Sequence, residues 1–321
     1  MKSSNIGGQA VLEGVMMRNK NDYAVAVRKP DGTIEVKKDT YESVAGRFKG
    51  LLKVPFVRGV FSFVDSLVLG TKILNWSASF YEDEEEEAAE RTAEEEKKQK
   101  RQEDLLMAGT TVMAFVLAIG LFMVLPYFAA GFLKKWIKSY TVMLAIEGVI
   151  RIAIFIGYVA AISLMKDIKR LYMYHGAEHK CINCIETGHP LTVENVRKSS
   201  KEHKRCGTSF LLFVMVVGIV LLFFVRVESP VMRVAVRILL LPVIAGISYE
   251  IIRWAGNSSN PVVSILSKPG LMLQGLTTKE PDDDMIEVGI ASVESVFDWR
   301  AYLRENFGYE EKESDVSAGI S

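Results

Sequence analysis

Four runs of this chain are apolar over lengths that a soluble fold could hardly bury: 105–127, 141–165, 209–227 and 234–254. A helix needs about 20 residues to cross the hydrocarbon core of a bilayer, and each run comes close to that or exceeds it. They predict an α-helical polytopic membrane protein with about four transmembrane helices. Four spans put residues 1–104, 166–208 and 255–321 on one side, where 17, nine and five Lys and Arg fall. The other side holds Lys134, Lys135 and Lys138, then Arg226, Arg233 and Arg237 beside a turn at Glu228-Ser-Pro230. The positive-inside rule therefore places both termini and the 166–208 segment in the cytoplasm.

Between these runs the chain changes character several times. Residues 1–46 read as a small cytoplasmic β-element. Tyr23–Arg28 and Thr33–Lys37 flank a Pro-Asp-Gly turn, and Ala10–Arg18 offers a third strand. The glycines before it permit close backbone approach, but without a Lys-Ser/Thr ending they make no phosphate loop. Residues 47–80 mix Phe, Leu and Val with basic residues, and Pro55 and Gly59 interrupt the run. An interfacial or re-entrant hairpin is expected there. Residues 81–104 form a charged connector, with ten acidic residues in 82–96. After the last span, 255–307 reads as a cytoplasmic amphipathic region. In it Asp282–Asp284 precede a helix over Met285–Trp299, and 308–321 reads as a disordered tail.

All four histidines and all three cysteines lie between His175 and Cys206. His175-x-x-Glu178-His179 has the inverted zincin order. On a helix the two imidazoles lie one turn apart on one face, and Glu178 is placed to act as general base. The second span could continue as helix into this motif, with a bend at Gly176, since glycine costs about 1 kcal/mol of helix propensity against alanine. His203 or Cys206 would complete a catalytic metal centre. A rival, closed centre would use Cys181, Cys184, His203 and Cys206, whose spacing suits structural zinc. An odd cysteine count, a C-x-x-C pair and no evident signal peptide favour reduced thiols over a disulfide framework. Inside the spans, Glu147 is expected to pair with Arg151 and Glu250 with Arg253. Formal net charge is zero, so no global attraction to nucleic acid exists.

Several segments together, Gly7–Arg18, Tyr174–Lys180, Leu191–Arg197, His203–Phe210 and Leu276–Asp283, resemble the YqhQ-like bacterial membrane proteins along about residues 5–300. That family is labelled a domain of unknown function and is sometimes described as a metal-dependent enzyme. The resemblance implies one assembly in the bacterial cytoplasmic (inner) membrane. It puts Glu13, His175, Glu178, His179, Glu186, Arg205 and Cys206 at motif positions. Gly7–Arg18 should then pack beside 175–206 and bring Glu13 near the histidines.

Two functions fit these expectations. One is a metal-dependent integral membrane enzyme, hydrolytic in type, acting at the cytoplasmic membrane face on a lipid or lipid-linked substrate. His175 and His179, with His203 or Cys206, would hold a divalent transition metal such as zinc, with Glu178 as base. The other is a non-enzymatic membrane factor that binds an integral membrane partner such as protein-insertion or assembly machinery. A transporter fits less well, because the spans hold few ionisable residues and no inverted repeat.

Overall fold

The structure, a computed structural model, describes residues 2–46, 50–81, 93–225, 229–256 and 260–310. Residues 82–92 of the acidic connector, Arg226, the start of the turn at Glu228 and the tail beyond Glu310 lie outside them.

Four strands, β1 (Gly7–Val11), β2 (Gly14–Asn19), β3 (Asp22–Arg28) and β4 (Ile34–Thr40), form an antiparallel sheet in sequence order. The run expected as one strand over Ala10–Arg18 is two. Val11 pairs with Gly14 across a turn at Leu12–Glu13, where Glu13 takes a φ of 50°. Side chains on successive strand residues point to opposite faces, and in β2 and β3 both faces are buried. Val15, Met17 and Ala26 face one core, while Met16, Tyr23, Val25 and Val27 face another. Burial on both faces explains why Val15-Met-Met and Tyr23-Ala-Val-Ala-Val are continuously apolar instead of alternating.

The second core is closed by α1 (Val57–Ala78), through Leu69 and Ile73. This 22-residue helix replaces the expected hairpin. Pro55 precedes it, and Gly59 is no break, because a Cβ there would lie 2.7 Å from Tyr249. The glycine serves close packing. The first core is closed by α5 (Lys166–Glu186) and α10 (Asp283–Val296). Asp282 caps α10 by accepting from the Met285 amide.

The chain divides into two compact units. The first comprises residues 1–81, 159–217 and 242–321 and contains everything above. The second comprises 82–158 and 218–241. From the connector onward α2 (Ala93–Ile119) is helical and passes through a π-turn at Gly120–Val124 into α3 (Leu125–Gly131). With α4 (Tyr140–Ile162) and part of α8 (Pro230–Gly256) it supplies the membrane-length segments. Among the described residues three helical stretches are long and apolar enough to cross a membrane: Gly109–Gly131, Tyr140–Ile162 and Val234–Gly256. The remaining apolar run forms the shorter α7 (Gly207–Leu222), whose first turn is tied down when Ser209 accepts from Gln274.

In the second unit Glu147 and Arg151 pair at 2.8 Å, and Arg237 joins the same carboxylate. Glu250 departs from expectation. Its carboxylate takes the Arg58 guanidinium and the Phe56 amide, and no ion pair with Arg253 forms among the described residues.

Candidate metal centre

α4 does not run on into the motif. The chain turns at Ser163–Met165, and Met165, in an extended conformation, starts α5 afresh. From there α5 continues unbroken through Gly176 to Glu186. The bend expected at Gly176 is absent because the glycine has another task. The Lys279 carbonyl oxygen sits 2.0 Å from where a Cβ would be. The 277–281 segment thus lies directly on the helix, held by the Lys279 amide donating to the Tyr172 carbonyl at 2.9 Å.

That contact orients the first histidine. His175 Nδ1 lies 2.8 Å from the Thr277 carbonyl, and His179 Nδ1 lies 2.6 Å from the Lys201 carbonyl. A carbonyl can only accept, so both Nδ1 atoms carry the proton and both Nε2 atoms keep a lone pair. Each imidazole is therefore fixed in the tautomer that ligates through Nε2. His175 Nε2 faces Cys206 Sγ at 3.3 Å, and the Thr208 amide donates to the same sulfur. One ligand atom from each of His175, His179 and Cys206 lies within 4.8 Å of the others. Bonds of about 2.0–2.1 Å to nitrogen and 2.3 Å to sulfur place ligand atoms somewhat closer together than this, so small side-chain rotations would suffice. Two imidazoles and one thiol suit zinc or another borderline divalent ion.

Glu178 lies beside this group, its Oε2 3.9 Å from His175 Nε2. Complete burial pushes its carboxyl up to about 7, against the nearby His175 and a hydrogen bond from the Gly8 amide. Gly8 is needed there, since a Cβ would lie 2.7 Å from Glu178 Cγ. The glycine segment does pack against the histidine helix, but Gly8 is the residue that meets the site. Glu13 turns instead to the Arg170 guanidinium and the Tyr174 hydroxyl.

His203 is placed differently from Cys206. Its Nε2 lies 3.5 Å from Glu186 Oε2, and its backbone is clasped by Gln274, which accepts from the amide and donates to the carbonyl. Burial pushes the His203 imidazole down. Cys181 packs against Gly289 of α10, and Cys184 donates to the His189 and Pro190 carbonyls. Burial raises both thiols, Cys184 to about 12. Both are neutral thiols in the core, and the four-residue set Cys181, Cys184, His203 and Cys206 does not converge.

Polar helix residues that carry no motif shape these surroundings. Lys180 donates to the Arg197 and Ser199 carbonyls, and Asn183 to those of Ser200 and Glu202. With His179 they satisfy five carbonyls of a segment that has no ladder of its own beyond α6 (Val193–Lys198). A second network is centred on Glu186, which accepts from the Ser4 amide and hydroxyl and from Arg205. Burial alone would raise the Glu186 carboxyl, yet His203, Arg205 and the Ser4 amide hold it down to about 2. A carboxyl depressed from 4.5 stabilises the fold fully above that pH and loses its contribution as pH falls toward about 2. The thermal midpoint of Glu186→Gln should therefore lie below wild type at neutral pH and converge with it on acidification. A constant gap across that range would refute this account.

The comparisons agree with one another. A family model described as "Protein of unknown function (DUF1385)" matches residues 54–299. The "Uncharacterized protein YqhQ" of Bacillus subtilis (strain 168) is 37% identical over 301 residues, covering 94% of each chain. No solved structure matches. With most of its length matched by that family model and nearly all of it by this relative, the chain belongs to the DUF1385 family of YqhQ-like proteins.

Proposed function

We propose that this protein is a metal-dependent hydrolase of the bacterial inner membrane, with a divalent ion held by His175, His179 and Cys206. One observation carries the reading. Both histidines spend Nδ1 on backbone carbonyls, His175 Nε2 lies 3.3 Å from the Cys206 sulfur, and a ligand atom of His179 lies within 4.8 Å of both. A histidine serving only to pack needs no such convergence. When bound, the ion supplies Lewis acidity toward water or a substrate carbonyl or phosphoryl oxygen. Glu178, with a proton affinity near neutrality, accepts a proton at its carboxylate and returns it to a leaving group. The Gly8 amide holds that carboxylate in place.

The accompanying topology has four spans, the third being the apolar run that contains α7. Both termini and the histidine helix then lie on the cytoplasmic side, where the basic residues collect.

Metal analysis of detergent-purified protein tests the reading. Wild type should carry about one ion per chain. Occupancy should fall at least roughly tenfold in His175→Ala and Cys206→Ser, and persist in His203→Ala and in Cys181→Ser with Cys184→Ser. Hydrolysis of p-nitrophenyl esters should be lost in Glu178→Gln while its metal remains. If the double cysteine variant loses the ion and His175→Ala keeps it, the centre is structural zinc and the hydrolase reading falls.

A further inference from the structure

The cleft beside His175 has a lining of two chemical kinds. It encloses about 640 Å³, within the roughly 300–1,000 Å³ typical of small-ligand sites. Its lining combines the polar His175, Glu178, Arg205 and Cys206 with Phe63 and Leu67 of α1, Phe210 and Leu211 of α7, and strand β1. The Phe63 and Phe210 rings meet with centroids 5.7 Å apart, so the two helices converge on an apolar channel. Phe63 and Leu67 are one turn apart on α1, and Val64 and Val68 continue their exposed face. Leu69 and Ile73 of the same helix already face the sheet core. α1 is thus apolar on two sides, and on the second Phe63, Val64, Leu67 and Val68 stay more than a third exposed. A helix of this kind needs a second apolar medium.

The cleft itself identifies that medium. Tyr249 and Ile252 also line it, and both belong to the membrane-length stretch Val234–Gly256. The apolar lining of the cleft is therefore continuous with a surface built to contact lipid tails, while the polar lining carries hydrolytic side chains. A water-soluble substrate would leave the exposed parts of Phe63, Leu67 and Leu211 facing solvent.

We propose that this cleft seats an acyl chain of a membrane lipid, with the chain along Phe63, Leu67, Phe210 and Leu211 and the lipid's polar end at His175, Glu178 and Cys206. The seat for the chain stands on the cleft alone; the fate of the polar end rests on the hydrolase reading above. The substrate class is then an acyl lipid presented from the bilayer, not a diffusing metabolite.

The test reconstitutes the full chain in nanodiscs of phosphatidylethanolamine and phosphatidylglycerol, doped with phosphatidylglycerol carrying a diazirine near the end of one acyl chain. After illumination, adducts are mapped by peptide mass spectrometry, and the metal content of the same samples is measured. Adducts should concentrate on the peptides holding Phe63–Leu67 and Phe210–Leu211. Excess unlabelled phosphatidylglycerol should reduce them, and Leu67→Glu should lower them several-fold with metal content unchanged. Adducts confined to the outer faces of Gly109–Gly131 and Tyr140–Ile162 in wild type would overturn the proposal without needing any variant. Cleft labelling in wild type that lacks metal would uphold the lipid seat and remove the hydrolase reading. Metal without cleft labelling would do the reverse.

Discussion

Replacing Gly176 with alanine should destabilise the first unit by about 3 kcal/mol and, at the same time, lower occupancy of the proposed metal centre. The added methyl would overlap the Lys279 carbonyl oxygen, which lies 2.0 Å from the Cβ position. Backbone cannot swing aside as a side-chain tip can. Relief requires the 277–281 segment to lift from α5, at an overpacking cost of about 1–3 kcal/mol. Lifting it also strains the Lys279–Tyr172 hydrogen bond and the His175–Thr277 contact, each worth about 1 kcal/mol. Loss of the second frees His175 to change tautomer, which joins a packing defect to a ligand defect. Thermal unfolding and metal analysis on one preparation check both halves. An unchanged midpoint would mean that the segment yields freely. A lowered midpoint with full metal occupancy would mean that Thr277 does not orient His175.

Glu147→Ala should be nearly as damaging, by about 3–5 kcal/mol, for an electrostatic reason. The Glu147 carboxylate receives both Arg151 and Arg237, and all three side chains are buried within membrane-length helices. The Nε atoms of both arginines already have no hydrogen-bond partner among the described residues. Removing the carboxylate would leave two like charges facing each other in a medium of low dielectric. Arg237 retains its bond to the Met123 carbonyl, which cannot neutralise it. Replacing all three residues with leucine or methionine should recover most of the loss, because a buried ion pair often adds little over a well-packed apolar cluster. Thermal midpoints in one detergent decide the matter. If Glu147→Ala matches wild type, the cluster is not holding these helices together.

Local periodicity carried much of this architecture. Three of the four apolar runs marked membrane-length helices, the fourth forming the shorter α7, and the spacing of His175, Glu178 and His179 placed them together on one helical face. The shortfalls share a physical cause. Choosing between Cys206 and His203 depends on how a segment beyond α6 folds back, and that depends on Lys180 and Asn183. In the sequence these look like ordinary polar helix residues. The local spacing rule proposed Arg253 for Glu250 and missed Arg58, which reaches it from another helix. Gly176 read as a weak point in a helix because the carbonyl that requires it lies about a hundred residues further on. The turn at Leu12–Glu13 coincides with Glu13-Gly14, which interrupts the apolar run that was read as one strand.

The discontinuous first unit has a consequence for how the chain is made. β2 and β3 leave the ribosome early, yet the face bearing Val15, Met17 and Ala26 is covered by α10. The roughly 250 residues between Arg28 and Asp283 must be translated first, a wait on the order of 13–50 s at typical elongation rates. Throughout that interval the face of the nascent sheet that α10 covers stays open while the membrane-length helices are being made. Synthesis of those helices therefore precedes closure of the histidine unit, and any ligand that needs α5 seated against α10 is acquired after α10 has been delivered.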